Sequence, residues 1–372
     1  MSNEQMRAQS EERIVARLGA LYQSYGYAPY KMSKFEEYEL YVRNKDFLVS
    51  NQIITFTDNG KLMALKPDVT LSIIRNSDDG AGVRKVYYNE HVYRVPKGGA
   101  GFREMMQVGL ECIGEIDAYR TCEVLSLAAA SLAELSEDFV LDISHMGLVS
   151  AVLDAAGLSP AGRAAVLRAV GDKSPQAIAA ICAEESIGEQ TAELLVRLVR
   201  DCGTPEAVLA AWRSVALPAE ARAALEELGA VALALTERFG KRIRVDFSVL
   251  NDMGYYNGIV FKGFVNGVPA SVLSGGRYDA LMHKMGKRSG AIGFAVYMDE
   301  LKRLLDALPA YDVDTVLLYG EQDALGTLRA AVERLVGEGV SVSALREIPE
   351  KLKYRRLLRL VGEEVEQLEA NA

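Results

Sequence analysis

The chain has 372 residues, of which 49% are apolar and 25% are charged, and its net charge is −9. These values exclude a disordered or fibrous chain, and the acidic balance argues against broad, non-specific binding of nucleic acid. Because no run approaches the roughly 20 apolar residues of a membrane span and no signal core precedes Arg13, we expect a cytoplasmic protein. The four cysteines show no CxxC spacing and three histidines occur, so we expect neither disulfides nor a metal site.

The first part of the chain predicts a helix followed by short strands. Residues 4–25 carry apolar side chains at helical spacing. Strands at 53–57 and 62–65 flank an Asn-Gly turn, which predicts a β-hairpin. Asp68 is the expected N-cap of a helix that ends at Arg75. Next we expect an antiparallel strand pair at 86–94 and 105–113, a helix at 117–135 and a strand at 139–144.

The composition changes between residues 145 and 240, where alanine and leucine dominate and strand patterns disappear. This block predicts roughly four to six consecutive helices inserted between strands. Strand patterns resume at 242–249, and an Asn-Gly turn predicts a hairpin of 259–264 with 268–273. A strand at 291–295 and a helix at 298–307 follow.

After a linker at 308–310, the tail predicts a small α/β unit. The expected order is a strand at 314–319, a helix at 322–337, a strand at 340–345 and a helix at 350–368. Strand–helix–strand spacing favours a parallel strand pair. The basic run from Lys351 to Arg359 is interpreted as a solvated face of the last helix, beside acidic residues.

The first motif that suggests chemistry is a glycine-rich loop at 97–101 between two predicted strands. Arg94 and Arg103 stand at its ends, and arginine beside flexible glycines suits the binding of phosphate or carboxylate. On the returning strand Arg103, Gln107 and Glu111 are spaced by four, so they share a face. A solvated strand face and an ordinary hairpin explain the pattern equally well.

A second motif joins the string Tyr255-Tyr256-Asn257-Gly258 to the segment Ser274–Asp279, which contains paired glycines. Tyrosines can wall a pocket for a ring-bearing ligand, and glycines let a backbone approach it closely. Taken alone, aromatic packing and turn chemistry are the simpler explanation. The GxxG string at 290–293 predicts no more than tight packing of a strand.

Taken in order, these segments resemble the catalytic core of class II histidyl-tRNA synthetases over residues 8–307. The matching segments are Lys66–Thr70 for the family's RPEGT, 86–114 for its motif 2, Tyr255–Gly258 for its DYYNG, Ser274–Asp279 for its GGRYD and 291–301 for its motif 3. The resemblance implies an α+β fold, a class II aminoacyl-tRNA synthetase-like antiparallel sheet flanked by helices. The implied domains are a core at 1–144 and 241–307, a helical insertion at 145–240, and a truncated anticodon-binding-like α/β unit at 308–372.

Departures from the family pattern concern the groups that handle ATP and the substrate carboxylate. Asn251 stands where the family has a signature arginine, and Glu300 where it has the ATP-contacting arginine. Tyr297 replaces a glycine near the adenine site, and Val95 and Pro96 follow Arg94 where the family has an acid. Since adenylate formation needs cations to offset phosphate charge, we expect no aminoacylation, no catalytic residues, no cofactor and no metal.

A synthetase-like core without synthetase chemistry resembles the ATP phosphoribosyltransferase regulatory subunits. That resemblance implies a non-catalytic subunit, required by a short-form catalytic subunit in the first step of histidine biosynthesis and taking part in histidine feedback. The implied partners are that catalytic subunit, a second copy paired through residues 25–50 within a hetero-octamer, and histidine as effector, with no membrane and with tRNA disfavoured. The alternative is a histidyl-tRNA synthetase, or a synthetase paralogue acting on another substrate.

The resemblance also implies a histidine pocket. Its candidate residues are Asp68, Thr70, Arg94, Gln107, Glu111, Tyr255, Tyr256 and Arg277. Glu111 would accept a hydrogen bond from the imidazole, and Asp68 and Gln107 would meet the α-ammonium group. Because Asn251 carries no charge, the carboxylate would need another partner, either Arg94 or Arg277.

Overall fold

The computed structural model describes residues 3–44, 48, 53–77, 82–95, 101–250, 256–302, 311–350, 352–362 and 364–370. The chain divides into two compact units, Ile14–Leu301 and a smaller one formed by Met1–Arg13 with Lys302–Ala372. Among the described residues, no helix combines the length and the apolar character that a membrane crossing requires.

Up to residue 301 the chain combines short and long strands with single helices and one run of helices after residue 145. The strands are β1 (Ala28–Pro29), β2 (Phe35–Glu37), β3 (Thr55–Asp58), β4 (Lys61–Leu65), β5 (Arg84–Arg94), β6 (Arg103–Gly114), β7 (Phe139–His145), β8 (Cys202–Gly203), β9 (Ile243–Asp246), β10 (Ile259–Val265), β11 (Leu273–Arg277) and β12 (Gly290–Tyr297). The helices are α1 (Asn3–Ser24), α2 (Tyr38–Arg43), α3 (Val69–Arg75), α4 (Ala118–Leu135), α5 (Met146–Ala155), α6 (Pro160–Gly171), α7 (Pro175–Glu184), α8 (Glu189–Arg200), α9 (Pro205–Arg213), α10 (Ala219–Phe239) and α11 (Asp279–Lys284).

A nine-stranded sheet in the order β1-β5-β6-β12-β11-β10-β7-β9-β8 organises the larger unit. It is mostly antiparallel, with parallel pairing of β1 with β5 and of β7 with β9. A separate three-stranded sheet has the order β2-β4-β3. Residues 146–239, all of them described, form the six helices α5–α10, interrupted by the two-residue strand β8.

Two features next to the three-stranded sheet form as the local sequence predicts. Asn59 and Gly60 have φ of 47° and 78°, the left-handed values that a tight turn between β3 and β4 needs. The side chain of Asp68 accepts a hydrogen bond of 2.9 Å from the N–H of Leu71, so it caps α3 as predicted.

The register of the large sheet defines its two faces. Glu111 lies opposite Gly293, whereas Cys112 lies opposite Ile292, which in turn lies opposite Arg277. Because successive side chains of a strand point to opposite faces, Glu111 belongs to one face, and Cys112 and Arg277 to the other. Contacts from Thr70 of α3 reach the Glu111 face. Glu227 of α10 approaches Arg277 from the other face.

The hairpin predicted at 259–273 forms with a later second strand. Gly267 has a φ of 86° and Val268 N–H donates to Val265 O, so a turn does form there. The strand β11 nevertheless begins only at Leu273, and the predicted strand at 268–273 is wrong. Pro269 explains the delay, because proline cannot donate to a strand ladder. Because β11 starts at Leu273 and ends at Arg277, Ser274–Arg277 lie within a strand.

The C-terminal part contains β13 (Val313–Leu318), α12 (Leu325–Gly337), β14 (Val342–Leu345), β15 (Tyr354–Val361) and β16 (Glu364–Ala370). They form a four-stranded sheet in the order β14-β13-β15-β16. The parallel pairing predicted from strand–helix–strand spacing is confirmed for β13 and β14.

The helix predicted at 350–368 is wrong, because β15 and β16 form an antiparallel hairpin there. Leu358 and Leu360 are buried while Arg359 and Val361 are exposed, and this alternation is the period of a strand. Gly362 has a φ of 63° at the turn. Of the basic run, Arg355, Arg356 and Arg359 therefore lie in a strand rather than on a helix, and Arg359 lies opposite Glu366, while Lys351 lies outside the described residues.

Three other predicted segments reach outside the described residues. The linker at 308–310 and most of the glycine-rich loop at 97–101 lie outside them. Of the helix predicted at 298–307, the structure describes a 3₁₀ turn at Met298–Leu301.

Candidate functional site

A buried carboxyl group lies at the centre of the candidate site. Glu111 on β6 is 2% exposed, and its two oxygens accept hydrogen bonds from Thr70 Oγ1 at 2.7 Å and from the hydroxyl of Tyr278 at 2.5 Å. Burial raises the pKa of Glu111 to about 8, against the opposing effect of these two donors. Gly293 opposite makes room, since a Cβ there would lie 1.7 Å from Glu111 Oε2.

A second carboxylate, Asp68, lies beside this centre at the start of α3. Burial raises its pKa, while the Leu71 N–H and the positive charge of Arg94 lower it. The charge of Asp68 also contributes to the raised pKa of Glu111, so the two carboxyl groups interact. Two neighbouring carboxyl groups, Glu111 buried and Asp68 partly buried, favour a ligand that brings a positive charge or hydrogen-bond donors.

Tyrosines from several strands line the same face. Tyr88 on β5 lies over Gly109, where a Cβ would be 2.5 Å from its hydroxyl oxygen. Tyr256 lies against Gly276, where a Cβ would be 2.6 Å from the ring. Burial raises the pKa of Tyr88 well above its ordinary value, and the charges of Glu111 and Asp68 add to this effect. Aromatic walls and glycine floors therefore surround the carboxyl groups.

Gln107 and Tyr297 extend the face away from Glu111. Gln107 is 6% exposed, shares the face of Glu111 as its spacing of four predicts, and lies opposite Tyr297. The Tyr297 hydroxyl lies 2.5 Å from Ser274 Oγ, so its ring spans from β12 to β11. The cluster of Asp68, Thr70, Tyr88, Gln107, Glu111, Tyr256, Tyr278 and Tyr297 is called the Glu111 cluster below.

Arg94 and Arg277, the two candidates for the carboxylate partner, differ in position. Arg94 ends β5 opposite Arg103, and its charge acts on Asp68. Arg277 lies on the other face of the sheet, where its Nε donates to Asp279 Oδ2 at 2.7 Å. It lines a cleft of about 670 Å³ there. The structure thus separates Arg277 from the Glu111 cluster.

Three residues of the Glu111 cluster, Tyr88, Tyr278 and Tyr297, were not among the predicted pocket candidates. The signal for Tyr88 is strand alternation opposite Gly109, and the signal for Tyr278 is its position directly after Arg277. Tyr297 lies opposite Gln107, although the sequence indicated it only as the replacement of a glycine near the adenine site. Tyr255 and Asn251 lie outside the described residues. Among the described residues, no group of three or more His, Cys, Asp or Glu side chains is placed to hold a metal ion.

Comparisons with known proteins address the family and the fold. The family model of histidyl-tRNA synthetase matches residues 3–301. An ATP phosphoribosyltransferase regulatory subunit from Symbiobacterium thermophilum is 30% identical over 362 residues, covering 93% of this chain and 90% of that protein.

Solved structures share the architecture. An ATP phosphoribosyltransferase regulatory subunit/histidyl-tRNA synthetase from Bacillus halodurans gives a TM-score of 0.73 at 24% identity, covering 95% of both chains. A chain of an ATP phosphoribosyl transferase complex from Thermotoga maritima gives 0.62 at 19% identity, covering 77% of this chain and 96% of that one. These likenesses confirm the predicted class II synthetase-like fold. The family model and the relative at 30% identity place the chain in the family of ATP phosphoribosyltransferase regulatory subunits, within the histidyl-tRNA synthetase-like proteins.

Proposed function

We propose that the chain is a cytoplasmic, non-catalytic regulatory subunit of ATP phosphoribosyltransferase, required by a short-form catalytic subunit in the first step of histidine biosynthesis. The name of the relative from Symbiobacterium thermophilum supports the role, and the complex from Thermotoga maritima supports the partner. The observation that carries the proposal is the Glu111 cluster, in which a buried carboxyl group accepts hydrogen bonds from Thr70 and Tyr278 on one face of the large sheet.

Histidine is the proposed effector of this subunit. In this proposal Glu111, which accepts hydrogen bonds from Thr70 and Tyr278, also accepts the imidazole N–H, and Asp68 attracts the α-ammonium group. Arg94 is the proposed partner of the carboxylate, because Arg277 faces away. An occupied site of this kind would report histidine concentration to the catalytic subunit.

The proposal also includes the absence of aminoacylation. Tyr297 fills the surface between β12 and β11 through its contact with Ser274, and Glu300 follows in the 3₁₀ turn with its side chain exposed. An acid here repels a triphosphate instead of binding it. Exchange of pyrophosphate into ATP in the presence of histidine tests this part directly. Exchange above background would favour the synthetase alternative.

Exposed apolar side chains of the β2-β4-β3 sheet and α2 support assembly through a second copy. Phe35 and Phe56 pack edge to face with ring centroids 5.4 Å apart, yet they are 42% and 37% exposed. Leu62 and Val42 are 48% and 41% exposed and line one surface cleft. Leu62 precedes Met63, which lies opposite Phe56, so Leu62 belongs to the other face of this sheet. Clustered exposed apolar side chains mark interaction surfaces. We therefore assign the homodimer contact, within a hetero-octamer with the catalytic subunit, to the β2-β4-β3 sheet and α2.

Co-expression with a short-form catalytic subunit is the decisive experiment. Co-purification, with condensation of ATP and phosphoribosyl pyrophosphate that the catalytic subunit alone performs poorly, is the expected result. A catalytic subunit that neither binds the chain nor gains activity would overturn the role.

Calorimetry with L-histidine tests the site within the same complex. Heat of binding is expected for the wild type and should be lost in Glu111→Ala. Glu104→Ala is the matched control, because Glu104 is an exposed carboxylate on the same strand. A second variant, Tyr278→Phe, removes one donor without shortening the side chain at the strand. Equal binding heats for wild type, Glu111→Ala and Tyr278→Phe would refute the proposed histidine site.

A further inference from the structure

Two consecutive residues of the chain face opposite sides of the large sheet. Tyr278 donates its hydroxyl to Glu111 on the candidate site's face. Arg277, one residue earlier and the last of β11, extends toward the other face. Any force on the Arg277 side chain therefore acts on the backbone that carries Tyr278.

The helix α10 reaches Arg277 from this other face. Glu227 Oε1 lies 3.7 Å from Arg277 Nη1, and Glu227 Oε2 lies 3.3 Å from His145 Nε2. His145 Nδ1 accepts the N–H of Leu148 at the start of α5, so Nε2 carries the ring proton and donates to Glu227. The hydrogen bond from His145 is the main cause that lowers the pKa of Glu227, with the charge of Arg277 contributing. One carboxylate thus joins α10, the start of α5 and β11.

Hydrogen bonds on both sides of Tyr278 make this connection stiff. Arg277 O accepts from the Asn257 N–H at 3.1 Å, and Tyr278 N–H donates to Ala291 O at 2.9 Å. Asp279 binds Arg277 Nε through one oxygen and the Ala291 N–H through the other. Because the backbone is fixed before and after Tyr278, a shift of Arg277 is passed on to its ring instead of being absorbed by a loop.

We infer that Glu227 and Arg277 are positioning residues that couple the helices α5–α10 to the Glu111 cluster through Tyr278. This inference rests on the proposed binding of histidine in that cluster. When α10 shifts, Glu227 moves Arg277, and the bond from Tyr278 to Glu111 tightens or loosens. Since coupling is reciprocal, occupation of the cluster also changes how α10 is held.

The test compares Glu227→Gln with Glu226→Gln in the complex with the catalytic subunit. Glu226 is the adjacent residue of α10, and its pair with Arg213, at 2.7 Å, lies within the helices and away from β11. For each variant, activity without histidine, the L-histidine concentration for half-inhibition and the calorimetric affinity for L-histidine are measured. Glu227→Gln is expected to shift both histidine values by roughly fivefold or more, while activity without histidine stays within about twofold. Glu226→Gln is expected to match the wild type.

A double-mutant cycle tests the route through Tyr278. If Glu227 acts through Tyr278, then Glu227→Gln adds no further shift in a Tyr278→Phe background. Arg277→Lys keeps a positive charge and should restore part of the response that Arg277→Gln loses. Urea unfolding of each variant shows that the fold is retained.

The outcomes separate the two proposals. A wild-type complex with neither binding nor inhibition by L-histidine overturns the proposed site and, with it, the coupling. A wild-type complex that responds to histidine, with Glu227→Gln indistinguishable from Glu226→Gln, overturns the coupling alone. Additive shifts in the cycle overturn the route through Tyr278.

Discussion

Replacement of Glu111 by glutamine should remove a strong pH dependence of stability. Burial raises the pKa of Glu111 from 4.5 to about 8 in the folded chain. In the unfolded chain the group regains an ordinary pKa near 4.3. Between these two values the folded state binds more protons than the unfolded state, so the free energy of unfolding falls as pH rises.

The size of the effect follows from the same two values. Within this window each pH step of one costs about 1.4 kcal/mol of unfolding free energy. From pH 5.5 to pH 7.5 the wild type should therefore lose roughly 3 kcal/mol that Glu111→Gln does not lose. Glutamine keeps an oxygen that can accept from Tyr278 or Thr70, so the variant retains most of the local hydrogen bonding at low pH.

Urea unfolding of wild type, Glu111→Gln and Glu104→Gln at several pH values and one protein concentration measures this difference. Glu104→Gln removes an exposed carboxylate of the same strand and should track the wild type. Burial also raises the pKa of Asp142 to about 6. Because Asp142 titrates in all three proteins, its effect cancels when their unfolding free energies are compared. Parallel curves for wild type and Glu111→Gln would refute the account of the buried carboxyl group.

Three further predictions concern packing, a second buried acid and assembly. Gly293→Ala should destabilise the chain by about 3 kcal/mol or more in urea unfolding, because the added Cβ would overlap Glu111. Gly337→Ala, with open space around the added Cβ, should be near neutral. Equal effects of the two substitutions would contradict this. Asp142→Asn should gain up to about 3 kcal/mol over wild type between pH 4 and pH 7, since burial raises the pKa of this group; a pH-independent difference would count against it. Leu62→Glu should split the homodimer in light scattering at micromolar concentration, while Leu325→Glu, at an 81% exposed leucine of α12, should not.

Elements with local signals were predictable from sequence, and elements set by distant pairing were less so. The turn at Asn59-Gly60 and the cap at Asp68 depend on backbone geometry within a few residues, and both form as predicted. The hairpin of β15 and β16 was predicted as a helix, because its acidic and basic residues also suit a helix surface. Pairing of Arg359 with Glu366 across the two strands stabilises the hairpin instead.

The face that each candidate residue occupies depends on where its strand begins. For Gln107 and Glu111 the strand was predicted within two residues of its observed bounds, so their shared face was correct. For Arg277 the delay that Pro269 imposes on β11 places it inside a strand, and alternation then directs it away from Glu111. The same alternation brings Tyr278 to the Glu111 cluster.

The electrostatics of the Glu111 cluster bear on which kind of ligand the proposed site would accept. Burial raises the pKa of both Glu111 and Asp68, so this environment disfavours negative charge, including that of the two carboxyl groups. A triphosphate would add charge of the unfavourable sign, whereas an ammonium group would stabilise the ionised forms of Glu111 and Asp68. This supports a subunit that binds the amino acid of a synthetase without the chemistry of one.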